Sequence, residues 1–128
     1  MIDSRAVRQR LIDDAAVSSL VGERVTWGPP QSSLVAPCLW FSIISFSRED
    51  TFTGAGHYDR TLIDMHVITS DAVDHTNLMN HVIAAFDKAS YTAHGTEVKE
   101  VYVDNIVQSS WEEDDDHFHS IITLQFTT

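Results

Sequence analysis

Cys38-Leu39-Trp40-Phe41-Ser42-Ile43-Ile44-Ser45-Phe46-Ser47 reads as a β-strand. It is rich in aromatic and β-branched residues, which suit a pleated surface. Alternation sends Leu39, Phe41 and Ile43 to one face and Trp40, Ile44 and Phe46 to the other. Apolar residues on both faces predict a central strand, or one covered on one face by a neighbouring subunit. A second strand, residues 58–69, sets Leu62, Asp64, His66 and Ile68 against Ile63, Met65 and Val67. Between the two strands runs a polar stretch, residues 48–56, with glycines at 54 and 56 that give its backbone freedom. The pair reads as an extended hairpin.

Outward from the hairpin, the chain alternates helix and strand signals. Asp3 can cap a first helix, with Ile2 and Val7 at the spacing of a hydrophobic staple. Val7, Leu11 and Ala15 form its apolar stripe, Ile12, Ala16 and Leu20 lie beside it, and Gly22 stops it. A break near Asp13-Asp14 is compatible with the serines at 18 and 19. Residues 24–27 are a short extended piece, followed by a loop around Pro29-Pro30 that Pro37 ends. Asp71 and Asp74 resemble a capping box for a second helix, reaching to about Ser90, with Leu78, Val82 and Phe86 as its core stripe. Residues 98–111 are strand-like with a kink around Asp104-Asn105, and residues 118–127 form the last strand. In that strand Ile122, Leu124 and Phe126 face one side and Ile121 the other. The order α-β-β-β-α-β-β predicts an α+β fold, two helices on one face of a mostly antiparallel sheet, within one domain spanning 1–128.

Composition narrows the function. An apolar fraction of 43% over 128 residues suits a globular domain. No apolar run approaches the roughly 18 residues of a membrane span, and the N-terminal residues lack a signal pattern. A protein that folds in a host cytoplasm, with no membrane partner, is the expectation. Nineteen acids against eight bases give a net charge of −11, which opposes phosphate-backbone binding and suits a surface that DNA passes without sticking. The lone cysteine, Cys38, excludes an internal disulfide and reads as a buried small hydrophobe.

Chemistry-bearing clusters are few. His117 and His119 share a strand face close to Asp114, Asp115 and Asp116, and two imidazoles with a carboxylate are a metal-ligand set. The acidic run from Glu112 lacks the glycine and ligand spacing of a calcium loop, so a solvated hairpin tip is the reading. Asp64 and His66 could form an acid–base pair, although the same pattern marks a half-exposed face or a subunit contact. No phosphate loop, nucleophile elbow, zinc-protease motif or C-x-x-C is present. The expectation is no enzyme, no catalytic residue, no cofactor and no bound metal. The alternative kept beside it is a small hydrolase or metal-binding protein built on His66, His117 and His119.

The string Leu11-Ile12-Asp13-Asp14-Ala15-Ala16-Val17-Ser18-Ser19-Leu20-Val21-Gly22-Glu23-Arg24-Val25 resembles the opening of the tail-completion, or tail-terminator, proteins of long-tailed phages. The proline-entered strand after Pro37, the strand Arg60-Thr61-Leu62-Ile63-Asp64-Met65-His66-Val67, the helix from Asp71 and the final segment Asp114-Asp115-Asp116-His117-Phe118-His119-Ser120-Ile121-Ile122-Thr123-Leu124 continue the likeness in order and length. The acidity around Glu112 and the pair Trp40-Phe41 depart from that pattern. The resemblance implies a virion structural protein, a hexameric ring of identical subunits at the head-proximal end of the tail tube. It implies the tail tube protein and a head connector or completion protein as partners, and DNA passing through unbound. A different neck or connector adaptor is the near alternative. On this reading the interface residues are Trp40, Ile44, Phe46, Arg48, Glu49, Asp50, Phe52, Arg60 and Phe126. The lumen or rim acids are Glu112, Glu113, Asp114, Asp115 and Asp116.

Overall fold

A computed structural model describes residues 1–29, 35–50, 57–112 and 117–128, without the side chains of Asp50, His57, Ser109, Ser110, Trp111 and Glu112. The fold is α+β. Helix α1 (Ser4–Asp13) starts where the Asp3 carboxylate accepts the backbone N–H of Arg5. Asp14 then leaves helical geometry, and its side chain accepts the N–H groups of Ala16 and Val17, opening α2 (Ala15–Val21). The break allowed near Asp13-Asp14 is present, because Asp14, an aspartate that can cap, sits at the end of one helix and the start of the next. Gly22 ends α2 at φ +59, a conformation that favours a residue without Cβ.

Strand β1 (Val25–Trp27) pairs in parallel with β2 (Cys38–Asp50), which turns back as β3 (His57–Thr69). Helix α3 (Ala72–Phe86) follows, capped by Asp71, whose carboxylate accepts the Asp74 N–H at 3.0 Å. A small hairpin, β4 (Tyr91–Ala93) and β5 (Thr96–Val98), was not expected from the sequence. It turns through His94 and Gly95, both at positive φ. Strands β6 (Glu100–Glu112) and β7 (His117–Thr127) complete the sheet, whose order is β1-β2-β3-β7-β6. All its pairings except β1–β2 are antiparallel.

The helices cover one face of this sheet. Phe41, Met65, Ile122 and Leu124 point beneath them and are fully buried with Val7, Leu11, Leu78 and Phe86. Each such side chain contributes about 1.5–3 kcal/mol relative to exposure. Ile2 and Val7 are both buried in this core, as a staple requires. Alternation along β3 and β7 follows the sequence reading. On β2 it does not, because a register shift between Ile43 and Ser45 makes Ile44 an extra residue. Phe46 consequently lies opposite Thr61, on the helix side with Phe41, rather than on the face of Trp40. The kink read at Asp104-Asn105 is a second register shift, between Val103 and Asn105.

Candidate assembly surface

The sheet face away from the helices carries a row of rings across three strands. The His66 imidazole lies 3.5 Å from the Trp40 ring, with the planes 6° apart. Its Nδ1 meets His119 Nε2 at 2.8 Å, so one imidazole donates to the other. Their order follows from the register, Trp40 opposite His66 on β2–β3 and His119 opposite Ile68 on β3–β7. Desolvation, reinforced by the neighbouring His119 and opposed by Asp64, pushes His66 down to about 4, so the ring is neutral near pH 7. One residue pair further along, Thr123 donates to Asp64 Oδ1 at 2.7 Å. Asp64 is therefore turned to Thr123 and not to His66 as a hydrogen-bonded acid–base pair.

Of the three histidines weighed for chemistry, the fold brings His66 and His119 into contact. Among the described residues no group of three or more His, Cys, Asp or Glu side chains is placed to hold a metal. His75, on α3, was not singled out by the sequence. Its Nδ1 contacts the Thr69 hydroxyl at 2.9 Å and its Nε2 the Ser120 hydroxyl at 2.7 Å. That is the reach of a nucleophile–base pair, but Ser120 is buried in the sheet and a hydroxyl, not a carboxylate, holds the far nitrogen. The contacts tie α3 to β3 and β7. Burial lowers the His75 pKa, again keeping an uncharged ring.

The far end of the β2–β3 hairpin is held by charge. Asp59 is nearly buried, and its Oδ2 lies 2.8 Å from the Met1 ammonium while its Oδ1 accepts from Arg48 Nε at 2.9 Å. These two cations hold its carboxyl well below the usual carboxylate range. On the opposite side, Glu49 pairs with Arg60 at 3.2 Å and accepts the Tyr58 hydroxyl at 2.6 Å. That hydrogen bond raises the Tyr58 pKa. Arg48, Glu49 and Arg60 thus form part of the hairpin's own lacing, leaving their charges partly compensated.

The proposed contact residues fall into three groups. Trp40, Ile44, Phe46, Arg48, Glu49 and Arg60 reach the surface, with Ile44 and Phe46 prominent at 50% and 43% exposure. Phe126 does not: it is fully buried, its ring 5.5 Å from that of Phe86 in an edge-on arrangement. It belongs to the core, because β7 lies near the middle of the sheet directly under α3. Phe52, Glu113, Asp114, Asp115 and Asp116 lie outside the described residues, and for Asp50 and Glu112 only the strand backbone is placed. Sequence reading passed over Tyr102, Ile106 and Val107, all exposed on β6. The sequence marked this segment only as strand-like; the position of β6 at the sheet edge reveals their exposure.

Among the described residues no helix is long and apolar enough to cross a membrane. No curated protein matches the chain. A chain from the virion of a native gene transfer agent particle has the same fold, with a TM-score of 0.72 at 18% identity, over 94% of this chain and 90% of that one. The family model described as tail completion protein gp17 matches residues 5–128. With nearly its whole length matched, the chain belongs to the tail completion protein gp17 family and is a structural protein of the phage tail, a component of the virion.

Proposed function

We propose that the protein closes into a ring, a hexamer of identical subunits, at the head-proximal end of the tail tube. There it stops tail polymerisation and presents its other side to a head connector or completion protein. The observation that carries this reading is apolar surface left outside the core. Ile44 and Phe46 project from β2 beyond the helix layer, and Trp40 stands on the uncovered sheet face. Exposed apolar groups of this kind mark contact surfaces. The partners proposed for these surfaces are copies of the chain itself, the last ring of the tube and the head. A ring needs two different patches per subunit, one meeting the other on the next copy. The protein works by surface complementarity, without a catalytic step or a cofactor, as a single domain.

The reading extends to two segments whose side chains lie outside the described ones. Residues 51–56, with Phe52 as anchor, are proposed to contact a neighbouring subunit or the tube. Glu112, Glu113, Asp114, Asp115 and Asp116 are proposed to lie at the lumen or its rim, where like charge keeps passing DNA from adhering. Light scattering and negative-stain images test the ring. Six-membered rings are expected at high concentration or on tail tubes, and monomers under both conditions would reject the proposal. For the acids, changing Glu113→Lys, Asp114→Lys and Asp115→Lys together is expected to slow DNA ejection in a salt-sensitive manner. Normal ejection would place the turn elsewhere.

A further inference from the structure

The two edges of the main sheet are each closed at one end and open at the other, and the closed ends are opposite. On β2, the parallel strand β1 occupies residues Leu39, Trp40 and Phe41, with Gly28 N–H donating to the Phe41 carbonyl at 2.8 Å. Beyond Phe41 no described residue pairs with that edge. On β6, the outer edge is closed near its start, where Lys88 N–H donates to the Val101 carbonyl at 2.9 Å. From Tyr102 onward no described strand pairs with it. Protein edges are ordinarily blunted by charge or covered. Here both open lengths carry exposed apolar side chains, Ile44 and Phe46 on β2, Ile106 and Val107 on β6.

We propose that the open edge of β6 pairs with the open edge of β2 on the next copy of this chain, continuing one sheet from subunit to subunit. The inference rests on the ring reading above and names the contact that would close it. Strand directions permit the pairing. β2, β3, β7 and β6 alternate, so β6 runs antiparallel to β2, and a copy placed beside β6 presents β2 in antiparallel sense. The contact is heterologous, a β6 edge meeting a β2 edge, which is the kind that generates rings. Main-chain hydrogen bonds supply the affinity and the four apolar side chains its register, as in other strand-addition contacts.

The closed ends dictate the stagger. Ile106 is level with Phe41 of its own subunit, through Ile122 and Met65. In the neighbour that level is blocked by β1, so β6 must slide toward the open part of β2. Placing Ile106 opposite the neighbour's Phe46 moves the level from Met65 to Thr61, a shift of four residues on β3. The shift is even, so helix-side residues still meet helix-side residues. Four residues advance about 13 Å while four strands span about 19 Å, giving a strand tilt of about 35°. Closed sheets have tilts of roughly 35–45°. The stagger demanded by the two closed ends is thus one that a closed ring of strands can use.

The test is Phe46→Cys with Ile106→Cys in one chain, oxidised under mild conditions. Cys38 can stay, since it is buried and desolvation raises its thiol pKa. The expected result is a covalent ladder ending at the ring, whereas either single variant gives no ladder and their mixture stops at dimers. Hydrogen exchange of the unmodified protein is the second measurement, with slowed amides at residues 45–48 and 105–108 in the assembled form. Protection without cross-linking would keep the edge pairing and remove the register. Rings with neither protection nor cross-linking would overturn this inference and leave the ring reading intact. A protein that stays monomeric by scattering, even on tail tubes, would overturn both.

Discussion

Phe46 and Phe126 sit in one row of the sheet, on the same side, with only Thr61 between them. One is 43% exposed and the other has no exposed surface. Their chemistry is identical and their neighbours on β3 are shared, so the difference comes from what lies above. Phe126 is under α3 and touches Phe86, while Phe46 stands two strands away, past the reach of the helix layer. Hydrophobicity therefore does not by itself separate core from contact surface in this protein. The extent of the helices over the sheet makes that separation.

The contrast breaks first at Phe126. Phe126→Ala is expected to cost about 3–5 kcal/mol of subunit stability, read by urea unfolding, because it empties a site that α3 and the sheet cannot collapse to fill. A loss under about 1 kcal/mol would mean that α3 does not seal this row. Next in size is Asp59→Asn at the hairpin end. The folded carboxyl is held low by Arg48 and the Met1 ammonium, so the unfolded chain binds more protons below about pH 4. The stabilisation is complete above that pH and is lost as pH falls through the folded value. Thermal melts between pH 2 and 7 should show a shallower acid decline in Asp59→Asn than in the parent.

His66 titrates in a different window. Its folded value near 4 lies below the ordinary value of about 6.5, so stability is full above about pH 6.5 and declines toward pH 4. The ring is only partly covered, and screening by water reduces the effect to roughly 1 kcal/mol. His66→Gln should flatten the melting temperature between pH 4 and 6.5, and an unchanged profile would show that the stacked pair does not stay neutral on folding. Thr61 sharpens the comparison from between the two phenylalanines. Its buried hydroxyl has no hydrogen-bond partner among the described residues, so Thr61→Val should stabilise the subunit by up to about 1 kcal/mol in urea titrations. The smallest effect on the subunit is at Phe46. Phe46→Ala should change monomer stability by less than about 1 kcal/mol while weakening self-association in sedimentation.

Much of this molecule follows from the chain read alone. Asp3, Asp71 and Gly22 mark helix ends because capping is local chemistry between residues two to four apart. The alternation of Leu62, Asp64 and His66 against Ile63, Met65 and Val67 assigns the faces of β3 because a strand has period two. The family likeness is likewise legible as an order of elements along the chain. What tertiary structure decided is everything that depends on non-local covering. The bulge at Ile44 moved Phe46 to the other face, and periodicity cannot announce an inserted residue. The contact between His66 and His119 joins residues 53 apart, and the burial of Phe126 depends on a helix some forty residues earlier. The exposure of Ile106 and Val107 depends on β6 being an edge, which follows from strand order and not from residue type. Local backbone preferences act over a few residues and leave a trace in the sequence, whereas burial is set by which distant segments arrive on top.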